Sequence, residues 1–229
     1  VPVGIDPSDL PMRTNRINNR NRFVLGPSGS GKSFFMNALI EQYMLYNMDV
    51  VIVDTGHSYS GLCAYFNGKY ITYTERQPIT MNPFQLKEGE YNLEKKDFLC
   101  TLIGLLWKGA EGTISNVERD VIANTINSYY ANAFQSSDED FKIEKLSFDS
   151  FYDYALFKIP LIKSTERIPF DFDEFRYVLK KFYRRGEFAS ILNEESDQSL
   201  FGERFIVFEI DSIKENKILF PIVTLIIMD

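Results

Sequence analysis

Phe23-Val24-Leu25-Gly26-Pro27-Ser28-Gly29-Ser30-Gly31-Lys32-Ser33-Phe34 passes from an apolar triplet through a glycine-rich loop to a lysine and a serine. From Gly26 to Ser33 it spells Gly-x-x-x-x-Gly-Lys-Ser, the phosphate-binding loop. Glycines at 26, 29 and 31 permit backbone conformations that let several N–H groups converge on a triphosphate, and a helix starting there adds its dipole. Lys32 is expected to reach the β- and γ-phosphates and Ser33 to ligate magnesium. The nucleotide-binding set is therefore Gly26, Pro27, Ser28, Gly29, Ser30, Gly31, Lys32, Ser33 and Phe34, with ATP and Mg2+ as cofactors. The loop's mechanics need a strand before it, Phe23–Leu25, and a helix after it, Ser33–Tyr46.

Working outward, Asp49-Val50-Val51-Ile52-Val53-Asp54 is an unbroken β-branched run between charges, as in a parallel strand covered on both faces. A turn and short helix follow at 55–63, and Lys69–Tyr73 alternates like a strand. The pattern then becomes helical, with Leu93–Trp107, Val117–Phe134, Phe148–Phe157 and Phe172–Arg185 as predicted helices. Phe205–Ile210 restores strand character, and Lys217–Met228 reads as an apolar helix or a further strand. The fold class is α/β, a P-loop NTPase core interrupted by a helical insertion. Its expected limits are 1–86 for the first part of the core, 87–200 for the insertion and 201–229 for the return to the core.

Composition narrows the function classes. Acidic residues outnumber basic ones, 32 to 25, for a formal charge of −7, unlike a domain that grips DNA over many phosphates. No apolar run approaches the roughly 20 residues needed to cross a bilayer. Cys63 and Cys100 lack metal-ligand spacing and, with one histidine, argue against a zinc site and for a reducing, cytoplasmic compartment. The chain starts with Val1 and shows no signal region, which suggests an internal piece of a longer polypeptide. Residues 1–12 hold three prolines and read as an extended lead-in. Arg13–Arg22 carries four arginines and no acid, a solvated connector or a strip facing phosphate or a partner.

Hydrolysis also needs an acid at a strand end to hold magnesium or its water. Asp54 is the leading catalytic candidate besides Lys32, although that position can instead orient a loop; Glu209, Asp211 and Asp229 are alternatives. His57 lacks a paired nucleophile and suits a turn or hydrogen-bonding role. Arg184-Arg185-Gly186 closes a predicted helix, where cations complement the C-terminal dipole, or supplies an arginine finger to a neighbour. The 20 phenylalanines and 13 tyrosines follow helical spacing and are assigned to packing.

Several strings extend the reading. Gly26–Ser33, Val53-Asp54-Thr55-Gly56-His57-Ser58-Tyr59-Ser60-Gly61-Leu62-Cys63, Gly68-Lys69-Tyr70-Ile71-Thr72-Tyr73-Thr74-Glu75 and Pro78-Ile79-Thr80-Met81-Asn82-Pro83-Phe84 resemble the TraG family of conjugative transposons, conjugation ATPases of type IV secretion systems. Phe208-Glu209-Ile210-Asp211-Ser212-Ile213-Lys214 and Leu219-Phe220-Pro221-Ile222-Val223-Thr224 are similar to it too. The resemblance implies a RecA-like motor domain with a helical insertion, acting as an oligomer, hexameric by analogy, among conjugation-apparatus proteins at the cytoplasmic face of the inner membrane. Many relatives carry a glutamate where this chain has Ser58, so no catalytic carboxylate carries over to that position. In the family the acidic magnesium motif lies on a strand after the helix that ends this chain. The resemblance thus implies a core truncated at its C-terminus, with Asp229 helical and little hydrolysis by this piece alone. Two other readings share the loop: a small-molecule kinase, and a nucleotide-organised assembly module without hydrolysis.

Overall fold

The structure, a computed structural model, describes residues 9–74, 79–135, 141–194 and 202–228. Asp229, Glu75, Pro78 and the first eight residues of the lead-in lie outside the described residues. In chain order the helices are α1 (Asp9–Arg13), α2 (Lys32–Leu45), α3 (Ser60–Tyr65), α4 (Leu93–Lys108), α5 (Asn116–Gln135), α6 (Phe148–Glu166), α7 (Phe172–Leu179), α8 (Ala189–Asn193) and α9 (Leu219–Ile227). The strands are β1 (Val50–Asp54), β2 (Lys69–Thr72) and β3 (Phe205–Glu209), paired in parallel in the order β1-β3-β2.

The last strand takes the middle place, and its sequence shows why. All five residues of Phe205-Ile206-Val207-Phe208-Glu209 are buried, as a strand covered on both faces requires. Successive side chains point to opposite faces. Phe205 and Val207 meet Ile40 of α2 and Cys63 of α3, whereas Ile206 and Phe208 join the larger core with α4 to α7 and α9. β1 has a neighbour on one side only among the described residues, and Val51 and Val53 are 59% and 38% exposed.

The larger core is aromatic. Phe84, Phe148, Phe151, Tyr129 and Tyr154 are fully buried and pack edge-on or offset, with ring centroids 5.2–5.9 Å apart. Met81-Asn82-Pro83-Phe84, noted above as a family string, works here as a clasp. Asn82 is buried, its Nδ2 donates to Leu146 O (2.7 Å), and its Oδ1 accepts Phe84 N–H (3.1 Å). Phe84 O accepts the Tyr130 hydroxyl at 2.9 Å. The chain leaving β2 is thereby fastened to α5 and to the loop before α6.

Four expectations are corrected. Phe23–Leu25 forms no strand among the described residues: Phe23 and Leu25 are 88% and 83% exposed and pair with no neighbour, and an apolar triplet becomes a strand only through a partner's hydrogen bonds. The lead-in ends in helix α1, where Pro11 sits in the first turn and so removes no helical hydrogen bond. α6 runs on to Glu166, past Pro160, because Ile159 and Ile162 still face the core. The helix expected through Arg185 stops at Leu179 and gives way to a 3-10 turn, Lys180–Phe182. Asp149 accepts the Arg184 N–H (2.8 Å) and Asp153 the Tyr183 hydroxyl (2.6 Å), so tertiary bonds override the local pattern. Of the two readings offered for Lys217–Met228, the helix is the one formed.

A reciprocal cap starts α5. Ser115 N–H donates to Glu118 Oε2 (2.7 Å) and Glu118 N–H to Ser115 Oγ (3.2 Å), with Lys108 Nζ 3.4 Å from the same carboxylate. Burial acts to raise the Glu118 carboxyl, but the Ser115 hydrogen bonds and the Lys108 ammonium outweigh it and hold the group below the ordinary carboxylate value. A depressed folded value means that this stability is present above the unfolded pKa, about 4.3, and is lost as pH falls through the folded one. Thermal unfolding followed between pH 6 and pH 3 should therefore show a shallower acid-side loss in Glu118→Gln than in the parent. An unchanged slope would refute the assignment.

Candidate nucleotide site

In open parallel sheets the ligand crevice lies beyond the carboxyl ends of the strands. Here those ends are marked by Asp54 on β1 and Glu209 on β3, which stand opposite each other in the register. The glycine loop leads into α2 with Gly29 at φ 78° and Gly31 at φ 87°, conformations that L side chains rarely adopt. A Cβ on Gly26 would press on the Ser30 hydroxyl, so a larger residue there would have to turn that side chain aside.

The start of α2 is open. Gly31 provides no side-chain cap, and the first turn contains no acid, so the leading N–H groups of a 14-residue helix keep their partial positive charge and no internal anion competes for it. Lys32 Nζ donates to Gly26 O (2.6 Å) and Pro27 O (2.9 Å), folding the ammonium back over the loop. Ser33 and Phe34 are exposed, Phe34 at 82%. These residues fit a polyphosphate: unsatisfied donors, a movable cation and a free hydroxyl occupy one short segment. Among the described residues no group of three His, Cys, Asp or Glu side chains is placed to hold a metal ion, so a magnesium ion here would depend on Ser33, phosphate oxygens and water.

Two links tie this loop to the strand ends. Asn37, one turn into α2, donates through Nδ2 to Ser33 O (2.8 Å) and to Ser58 O (3.2 Å). Asp54 Oδ2 accepts the Ser58 N–H at 2.7 Å, orienting the segment that follows β1. His57 adopts φ 53°, and its N–H donates to Glu209 Oε2 at 2.8 Å. Glu209 is completely buried yet also accepts the Asp211 N–H (2.9 Å) and the Tyr70 hydroxyl (3.2 Å). His57 Nδ1 lies 3.2 Å from the Tyr70 hydroxyl. Burial first, then the Glu209 charge and hydrogen bond, push the Tyr70 hydroxyl up to about 12, so it stays a donor.

The sequence candidates thus separate. Gly26–Phe34 form one continuous loop and helix start, exposed except at the half-buried Gly26 and Lys32, and Asp54 with Ser58 adjoins it through Asn37. Glu209 points inward as an acceptor for three donors, and Asp211 Oδ1 is engaged by Lys214 Nζ at 2.8 Å. Asn37 and Tyr70 were not singled out from sequence. Asn37 lies four residues after Ser33 on the same helix face, a spacing that could have flagged it; nothing local marks Tyr70.

Comparison with known proteins agrees with this geometry. Residues 1–229 match the model of the TraG P-loop domain. A type IV secretion system protein virB4 of Bartonella quintana (strain Toulouse) is 35% identical over 108 residues, covering 47% of this chain and 14% of that protein. The virB4 protein of Bartonella henselae is 33% identical over the same length and shares. The chain therefore spans a small part of the curated relatives it matches. Among solved structures, VirB4 of Thermoanaerobacter pseudethanolicus superposes with a TM-score of 0.54 at 18% identity, over 83% of this chain and 50% of that one, a likeness of fold. A parallel sheet whose strand ends face a glycine loop, and a family match over its whole length, make this chain a member of the TraG P-loop domain family.

Proposed function

We propose that the chain is the ATP-binding part of a motor ATPase that energises conjugative DNA transfer or assembly of a type IV secretion channel. The observation that carries this reading is the uncapped start of α2, with Lys32 beside it and Asn37 tying it to the strand ends. The names of the Bartonella relatives support a place in type IV secretion. An oligomeric ring, hexameric by family resemblance, and a position at the cytoplasmic face of the inner membrane beside other apparatus proteins belong to the same reading.

Bound ATP with magnesium would supply the phosphoanhydride whose cleavage releases free energy. The chain's part is to bind and orient. The loop N–H groups and the α2 dipole neutralise phosphate charge, Lys32 exchanges two backbone carbonyls for phosphate oxygens, and the Ser33 hydroxyl takes one magnesium position. Asp54 spends Oδ2 on Ser58, which leaves Oδ1 as the catalytic candidate for a metal-bound water. A change in the loop can pass through Asn37 to Ser58 and on to the strand ends.

The test is phosphate release by the full-length protein, with and without Lys32→Ala and with no acceptor added. Release that depends on Lys32 is expected. Transfer only to an added small-molecule acceptor would favour a kinase, and oligomerisation that survives Lys32→Ala without any hydrolysis would favour an assembly module.

A further inference from the structure

Between Phe175 and Gly186 the sequence places five cations, Arg176, Lys180, Lys181, Arg184 and Arg185, and no acid. That contrasts with the formal charge of −7 for the chain. A continuous helix would have strung these residues along its axis, Arg176, Lys180 and Arg184 in one i, i+4 row and Lys181 and Arg185 in the next. The early end of α7, the 3-10 turn and the left-handed Arg184 (φ 47°) instead gather Lys180, Lys181, Arg184 and Arg185 with Tyr177 and Tyr183 around a concave groove of about 900 Å³. The acids behind the turn are engaged in holding it. Asp149 accepts the Arg184 N–H, and Asp153 accepts the Tyr183 hydroxyl and pairs with Arg184 Nη2 at 3.2 Å. Asp173 pairs with Arg176 at 3.4 Å. Lys180 and Arg185 are exposed. Tyr177 is 81% exposed, and the Arg184 guanidinium stacks over Tyr183 at 4.8 Å. Lys181 also lines the adjoining cleft with Lys217 and with Lys108, whose ammonium is paired there with Glu174 and Glu118.

We propose that this groove binds a short stretch of single-stranded nucleic acid. Phosphates and flat bases alternate along such a strand, and the groove sets the exposed ring of Tyr177 among Lys180, Lys181 and Arg185, which suits a backbone track with a stacking platform, while Tyr183 packs behind it between Arg184 and Tyr152. The groove is shallow and open, about 900 Å³, with room for a few nucleotides laid along it. The site is separate from the glycine loop and does not rest on the ATPase reading.

The test is fluorescence anisotropy with a labelled oligothymidine of about a dozen nucleotides, using the full chain, Lys180→Glu/Arg185→Glu, Tyr177→Ala and Lys32→Ala. Neither Lys180 nor Arg185 holds the turn, and unchanged melting temperatures would verify folding. The charge-reversed variant should bind at least about tenfold more weakly, Tyr177→Ala about tenfold more weakly, and Lys32→Ala as well as the parent. The slope of log affinity against log salt should be roughly −2 to −3 for three or four neutralised phosphates. Oligothymidine binding that is absent, or indifferent to both groove variants, overturns the proposal. Polyglutamate or anionic vesicles binding as tightly as the oligonucleotide, with no loss in Tyr177→Ala, would overturn it in favour of an acidic protein or a membrane surface.

Discussion

Lys32→Ala should raise the Kd for ATP by at least about 100-fold while leaving the fold intact. Hydrogen bonds to charged groups are worth ~1.5–3 kcal/mol each, and the ammonium is placed to make such bonds to two phosphates, so the loss exceeds the 2.7 kcal/mol that corresponds to about 100-fold. The folded protein gives up only Nζ contacts to Gly26 O and Pro27 O, on an exposed loop where water replaces them. Denaturation midpoints should therefore move by less than about 0.5 kcal/mol, as for other surface changes. Isothermal titration with ATP, paired with urea denaturation, separates the two quantities. Parent-like affinity in the variant would remove Lys32 from the site.

Glu209→Ala should be the most destabilising single change at the strand ends, by about 4 kcal/mol. The carboxylate has no exposure and accepts from His57 N, Asp211 N and the Tyr70 hydroxyl. Each buried donor left without an acceptor costs about 1–3 kcal/mol, and the truncated side chain leaves a void beside Tyr70. Glu209→Gln keeps the volume and one acceptor but turns an amide N–H₂ toward some of the same donors, so about 2 kcal/mol is expected. A shift in the urea midpoint with constant m value would measure both. If Glu209→Ala unfolded at the parent midpoint, the three hydrogen bonds would not be stability determinants.

What sequence made legible here was local. The loop from Gly26 to Ser33 carries its chemistry in its spelling, and the β-branched run at 50–54 and the aromatic run at 205–209 read as strands, although only 205–209 is covered on both faces as expected, Val51 and Val53 of β1 being exposed. The helices α4 and α5 announce themselves by spacing, with Asn92 accepting Lys95 N–H at the start of α4. What stayed hidden depended on distant partners. The strand order could not be read because β3 inserts between two earlier strands. Glu209 looked like a possible metal ligand until Tyr70 and His57, 139 and 152 residues away in the chain, were seen to surround it. The stop at Leu179 arises from Asp149 and Asp153 on α6, invisible in the local pattern. Phe23–Leu25 failed in the opposite sense, since its composition suits a strand and no described strand pairs with it.

The insertion of β3 between β1 and β2 also sets the order in which the molecule can be made. Val50 pairs with Phe205, 155 residues later, so at about 5–20 residues per second of synthesis β1 waits on the order of ten seconds or more for its partner. Within that interval α4, α5 and α6, whose contacts are local, can collapse around Phe84 and Tyr129, while β1 and β2 keep unpaired edges. The sheet thus closes late, and a nascent chain halted before Phe205 presents a helical body still lacking α9 beside two adhesive strands.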